Sequence, residues 1–195
     1  MKDCCNIKYL LLFMAILVGL FFVFKKKFFK KIRFNKTIIS KVVSAKDKEI
    51  LKLLNKALAD EWLAYYQYWV GSKIVKGEFS KEAVVEMVQH ASDEKRHADM
   101  LTEHILKLGG IPILDFYKLE DISGCGYTTP PALGDIKIIL EQNIEGERCA
   151  IKFYKNFLTQ LNENYQALKK DIETILKDEE EHEVDLNDIL KNIIE

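Results

Sequence analysis

The sequence predicts an all-α protein, an antiparallel four-helix bundle with one long crossover, preceded by an N-terminal apolar segment. Three observations predict it. From residue 46 onward, apolar residues recur at spacings of three and four, the period of a helix with one buried face. Chain breakers are few and clustered, and all three prolines lie between residues 110 and 134. The third observation is an uncharged run from Tyr9 to Phe24 that differs from everything after it.

That run gives the domain plan: an N-terminal transmembrane anchor at 1–24, a basic juxtamembrane linker at 25–45, and a helical domain at 46–195. Sixteen residues at ~1.5 Å each fall slightly short of a bilayer core of ~30 Å. Phe28 and Phe29 extend the segment if the lysines between them snorkel. Lys25, Lys26, Lys27, Lys30, Lys31 and Arg33 follow the run, whereas Lys2 and Lys8 precede it against Asp3. The positive-inside rule then puts the domain in the cytoplasm, membrane-anchored. A cleaved signal peptide is the rival reading; its charge belongs before the apolar run, and no small-residue cleavage site follows this one. Cys4 and Cys5 are acylation candidates or have no role.

Charge narrows the function classes. Residues 1–45 hold ten Lys or Arg and one acid, a net +9, so the other 150 residues carry −10 of the total −1. An acidic domain disfavours nucleic acid as a partner and favours cations. Four cysteines are too few for a disulfide scaffold.

The first helix is predicted over about 46–76, with Leu51, Leu54, Ala57, Leu58, Trp62 and Tyr65 on its buried stripe. Gly77 ends it, and Ser80 is the expected N-cap of the second helix, which runs to about Leu108 before Gly109, Gly110 and Pro112. Residues 110–134 form the long connection. A third helix spans about Asp135 to Leu161, Asn162–Asn164 make a turn, and a fourth helix starts near Tyr165. Two tight hairpins joined by one crossover is the ferritin-like plan among four-helix bundles.

Each hairpin contains one Glu-x-x-His: Glu94 with His97, and Glu179 with His182. A spacing of three puts both side chains on one helix face. Glu61 and Glu147 each begin Glu-x-x-Ala-x-x-x-Tyr, an internal repeat on the first and third helices. Glu61 lies 33 residues before Glu94, Glu147 lies 32 before Glu179, and both midpoints fall at expected turns. Antiparallel pairing therefore brings each Glu level with its Glu-x-x-His. One Glu from each of two helices plus Glu-x-x-His from the other two is the ligand set of di-iron carboxylate bundles. Four carboxylates balance two divalent ions. Oxygen and imidazole donors suit iron, with manganese as a second option, and lack the thiolates of a closed zinc site. Glu141 and Glu145 lie near Glu147, but only Glu147 fits the repeat. His90 lies one heptad before His97 and reads either as a core histidine or as a relay ligand toward the site. Tyr68 reads as core, or as a tyrosine that quenches an oxidising intermediate. Trp62 and Trp69 read as packing. Cys125 in the crossover and Cys149 beside Glu147 read, from sequence alone, equally as unrelated buried thiols.

EWLAYYQYWVG from Glu61, DEKRHAD from Asp93, ERCAIKFY from Glu147 and DEEEHE from Asp178 resemble the Dps-like proteins called thioferritins, over about residues 50–190. The six ligand types also resemble those of bacterioferritin. The resemblance implies that Glu94 and Glu179 bridge two irons per subunit, with Glu61 and His97 on one and Glu147 and His182 on the other. It also implies that Cys125 and Cys149 lie close together near the di-iron site, where a cytoplasmic pair is redox-active. Lys95 stands where bacterioferritin has its haem-ligating methionine, so no haem is expected. No Cys-x-x-Cys is present, which counts against a rubrerythrin-like peroxidase. Thirteen residues follow His182, which favours a twelve-subunit homo-oligomeric cage over the larger ferritin one.

The expected function is oxidation of Fe(II) by hydrogen peroxide or oxygen, as a ferroxidase serving iron storage and oxidative-stress protection. The alternatives are a membrane-tethered di-iron peroxidase or oxygenase without mineral storage, and a non-catalytic iron-binding bundle.

Overall fold

The structure is a computed structural model that describes residues 44–194. The expected transmembrane anchor and the linker up to residue 43 lie outside the described residues. Among the described residues no helix is long and apolar enough to cross a membrane.

Five helices are described: α1 (Ala45–Ile74), α2 (Ser80–Lys107), the short α3 (Leu119–Ile122), α4 (Ile136–Gln160) and α5 (Gln166–Ile194). The four long ones make the ferritin-like bundle, with α1 paired to α2 and α4 to α5. The start of α1 is fixed by a capping box. Ser44 Oγ accepts from Asp47 N at 3.0 Å and Ser44 N donates to Asp47 Oδ2 at 3.3 Å. Such a cap is worth about 1 kcal/mol because it satisfies backbone N–H groups that the helix cannot.

The first turn differs from expectation. Ser80 is the first residue of α2, and the N-cap is Phe79, at φ 60° with no side-chain cap. Phe79 packs against the cluster that contains Tyr68, Met87 and Leu186. We attribute the left-handed backbone to that burial, which offsets a cost of ~1–2 kcal/mol. The end of α2 follows the sequence closely. Gly109 N donates to Leu106 O at 3.0 Å and Gly110 N to Ile105 O at 2.9 Å, a Schellman pair with Gly109 at φ 78°.

The crossover is less irregular than its prolines suggest. It carries a 3₁₀ turn at Phe116–Lys118, capped by Asp115, and then α3. Leu119 is buried on the bundle and anchors this turn. At the far end Gly134, at φ 74°, lies so close to α1 that a Cβ there would sit 1.9 Å from Ile74 O. Only glycine lets the crossover close onto the α1–α2 turn, where Lys76 N donates to Gly134 O at 2.7 Å. Asp135 caps α4, and Asn162 caps a 3₁₀ turn, Glu163–Tyr165, that leads into α5.

Two apolar clusters fill the bundle. One is built around Leu54, Leu58, Leu101, Phe157, Ile172 and Ile175. The other is built around Met87, Ile139, Leu140, Ile144 and Leu186. The Glu-x-x-His motifs lie between these two clusters along the helices. Trp62 packs against the first cluster, as expected of it. Trp69 does not pack inside; it is 44% exposed and stacks on Tyr66. The buried neighbour Tyr68 takes the inward position, and one residue along a helix turns the next side chain by about 100°.

Candidate metal centre

All six expected ligands converge in the middle of the bundle, and all are nearly sealed from solvent, at 0–4% exposure. α1 supplies Glu61, α2 supplies Glu94 and His97, α4 supplies Glu147, and α5 supplies Glu179 and His182. They form two overlapping groups. Ligand atoms of Glu61, Glu94, His97 and Glu179 lie within 4.8 Å of one another, as do those of Glu94, Glu147, Glu179 and His182. Glu94 and Glu179 belong to both.

The oxygens show how the sharing works. Glu94 turns Oε2 to His97 Nδ1 at 3.4 Å and Oε1 to His182 Nδ1 at 3.5 Å. Glu179 turns Oε1 to His97 Nδ1 at 3.1 Å and Oε2 to His182 Nδ1 at 3.5 Å. Glu61 Oε2 is 3.2 Å from His97 Nδ1, and Glu147 Oε1 is 3.7 Å from His182 Nδ1. Two carboxylates thus span two imidazole positions, and one further carboxylate caps each. Glu147 is buried while Glu141 and Glu145 are exposed, which separates the three candidates on α4.

Burial of so many ionisable groups needs compensation. Burial pushes Glu61 and Glu147 well above the usual carboxylate range, and the charge of Glu179 adds to it. Burial would lower His97 and His182, but bonds to the surrounding carboxylates outweigh it and raise both well above the ordinary imidazole range. Glu94 and Glu179 are lowered despite burial, because both histidines bond to them. Two imidazolium ions then face two ionised bridges, close to neutral. Exchange of these protons for two divalent ions against four carboxylates is again close to neutral. Glu94 Oε1, Glu179 Oε1 and His182 Nδ1 are buried in ion-pair contacts of 3.1–3.7 Å but make no well-directed hydrogen bond. Lone-pair atoms of this kind, facing one another without directed hydrogen bonds, fit a metal pair.

The supporting residues were less visible in the sequence. Tyr154 donates to Glu61 Oε1 and Tyr68 donates to Glu147 Oε1, each tyrosine reaching across to the other hairpin. Burial and the adjacent carboxylate raise both phenols well above their ordinary range, so both remain donors. The repeat ends in both tyrosines, and only Tyr68 was singled out from it. Asp178 Oδ2 lies 3.2 Å from His97 Nε2, and Asp93 Oδ2 lies 3.6 Å from His182 Nε2. Arg96 Nη2 joins the two aspartates, at 2.7 Å from Asp93 and 2.8 Å from Asp178. An Asp directly before each Glu-x-x-His is the signal that would have found them. His104 pairs with Asp171 at 2.6 Å, away from the centre.

A cavity of about 40 Å³ opens beside the carboxylates. Glu61, Tyr68, Glu94, Glu147 and Glu179 line it, together with Cys125 of the crossover. Cys125 and Cys149 are joined by a disulfide. Asp60, next to Glu61, accepts from Gly124 N at 2.8 Å and Cys125 N at 2.9 Å and holds the crossover over the site. Its carboxyl is raised, mainly by burial. His90 lies beyond His182, their rings stacked at 3.9 Å. Burial and the His182 charge push His90 down to about 3.

The ferritin-like domain family matches residues 51–194. The DNA protection during starvation protein of Pyrococcus furiosus is 31% identical over 149 residues, covering 73% of this chain and 77% of that one. A bacterioferritin of Rhodobacter capsulatus is 29% identical over 138 residues, 70% of this chain and 79% of that one. Among solved structures, a dodecameric thioferritin, the bacterioferritin-related protein of Bacteroides fragilis, superposes with a TM-score of 0.75 at 38% identity. That match covers 82% of this chain and 95% of the other. Dps from Thermosynechococcus elongatus superposes with a TM-score of 0.71 at 15% identity and shares the fold.

Proposed function

Because this chain belongs to the ferritin-like domain family, on its Dps-like and bacterioferritin-related side, we propose that it binds two Fe(II) ions and oxidises them with hydrogen peroxide or oxygen. The observation that carries the reading is the pair of overlapping ligand groups that share Glu94 and Glu179. Iron is the substrate. Two Fe(II) give up two electrons, and hydrogen peroxide takes both with two protons to become two waters. Delivery of both electrons together avoids release of a hydroxyl radical. Glu61 with His97 would hold one ion and Glu147 with His182 the other, with Glu94 and Glu179 shared between them. Tyr68 and Tyr154 orient the two capping carboxylates by donating to them. Cys125 lines the same cavity as the carboxylates, which puts the Cys125–Cys149 pair beside the site as a protein redox couple.

The thioferritin relative is dodecameric, and a cage of that kind would take the Fe(III) product into a mineral core. We place the domain on the cytoplasmic face of a membrane through Tyr9–Phe24. Anchorage of every subunit conflicts with a closed cage, whose N-termini point in many directions. That conflict favours a second reading, a tethered peroxide-consuming enzyme without storage. Membrane fractionation and light scattering on the full chain separate the two.

Anaerobic titration should bind two Fe(II) tightly per chain, and one peroxide should then oxidise both. Glu94→Ala with Glu179→Ala removes both bridges and should abolish binding. Two irons retained in that variant would refute the site.

A further inference from the structure

We propose that Glu86, His90 and Asp185 form a third divalent-cation site, which takes Fe(II) from solvent and passes it to the dinuclear centre. The delivery role rests on the function proposed above; the site itself does not. Oxygens of Glu86 and Asp185 and a ring nitrogen of His90 lie within 4.8 Å of one another. His90 Nε2 is 3.6 Å from Asp185 Oδ2 and 3.9 Å from Glu86 Oε2. Bonds of about 2.1 Å to nitrogen and oxygen place neighbouring donors about 3–4 Å apart. Small rotations of the two carboxylates close the remaining gap.

Two acidic residues on a helix surface would mean little by themselves. The independent observation is His90. Its side chain is 1% exposed, and neither ring nitrogen has a hydrogen-bond partner. A buried imidazole normally satisfies at least one nitrogen. Here Nε2 is aimed between the two carboxylates, and one face of the ring rests on His182. Tyr68 meets His90 edge-on at 5.1 Å and offers it no hydrogen bond.

Position gives the site its use. The Glu86 and Asp185 side chains are 35% and 47% exposed, so solvent reaches them. His90 is at the bottom, and behind it stands His182, a ligand of the centre. The three residues therefore make a half-open step between solvent and a sealed pair of sites. One imidazole and two carboxylates suit Fe(II), Mn(II) or Co(II), and too few donors are fixed to hold any of them permanently.

The test uses the detergent-purified full chain and Co(II), which peroxide-free buffer leaves unoxidised. Equilibrium dialysis should show three Co(II) per wild-type chain, the third weaker than the other two. Glu86→Gln with Asp185→Asn, isosteric changes at part-exposed positions, should bind two. Two in the wild type, or three in the variant, would overturn the site. Glu94→Gln with Glu179→Gln should keep the third ion while losing the others. A wild-type count of one that disappears in E86Q/D185N would instead refute the dinuclear reading and keep this site. For delivery, stopped-flow mixing should show E86Q/D185N filling the centre several-fold more slowly with Fe(II), to the same final two. An equal rate would overturn the delivery role.

Discussion

His97 and His182 hold equivalent places in two copies of one motif, yet their surroundings differ. His97 Nδ1 lies 3.1–3.4 Å from its three carboxylates, and Asp178 backs its other nitrogen at 3.2 Å. His182 Nδ1 lies 3.5–3.7 Å from its three, and Asp93 stands 3.6 Å behind it. An offset of 85 residues maps one motif onto the other and shows where the difference comes from. His90 corresponds to Ile175, which is fully buried in an apolar cluster. Asp185 corresponds to Met100, which packs on the same cluster. Both halves are buried, but hydrocarbon lies beside the His97 half, whereas an imidazole and a part-exposed carboxylate lie beside the His182 half. A repeat can thus set the candidate ligands while its neighbours decide what lies between each half and solvent.

The largest expected effect breaks the halves apart. His97→Ala and His182→Ala should each reduce the ions held at the dinuclear centre from two to one, since each removes the single nitrogen donor of one half. The ion left in His182→Ala occupies the tighter half, beside hydrocarbon, and should dissociate more slowly than the ion left in His97→Ala. Anaerobic binding followed by chelator competition reads both quantities. Equal release rates would remove the distinction between the two halves.

Acidity gives the next effect. Without metal, His97 and His182 are raised by their carboxylates, and Glu61 and Glu147 are raised by burial, so all four hold protons to higher pH than the free groups do. Metal needs these groups deprotonated. Binding therefore releases protons, and affinity rises with pH over the range in which the free site still holds them. Each proton displaced contributes a tenfold change per pH unit. Calorimetry in two buffers of different ionisation enthalpy counts those protons. Proton uptake, or affinity that falls with rising pH, would contradict the charge balance inferred for the centre.

The fold and the convergence of the six candidate ligands were legible because both rest on periodicity. Glu61, Glu94, Glu147 and Glu179 are set by a repeat and by hairpin symmetry, which survive without coordinates. Gly109 and Gly110 announced the end of α2 by their chemistry. Other features depended on tertiary contact. Nothing local favours Phe79 at a left-handed N-cap; its ring is placed by an apolar cluster drawn from other helices. Asp60 reads as an ordinary surface acid beside Glu61 until the crossover lays Gly124 and Cys125 over it. Helix α3 is too short to show a period. Tyr154 was legible and missed, since the repeat that ends in Tyr68 ends in Tyr154 as well.

The smallest expected effect sharpens the comparison at the two aspartates. A histidine that binds metal through Nδ1 must carry its proton on Nε2, and an acceptor behind Nε2 fixes both the tautomer and the ring plane. Asp178 does this for His97 at 3.2 Å, within reach of a hydrogen bond. Asp93, at 3.6 Å from His182, is beyond it and acts mainly through its charge. Arg96 bonds to both, so loss of either aspartate also frees one arm of this tie. The corresponding position in α5 is Glu181, which pairs with Lys177 and supplies no second tie. Loss of such a supporting acceptor typically weakens metal binding by about 10–100-fold. Asp178→Asn should reach that range for the ion at His97, because an amide that turns its N–H₂ toward Nε2 favours the wrong tautomer. Asp93→Asn should fall below it for the ion at His182. Arg96→Met should change both by a similar small factor, since it removes the tie and leaves both acceptors. Competition with a calibrated chelator measures all three variants on one scale. A larger loss from Asp93→Asn than from Asp178→Asn would reverse the assignment of the tight half.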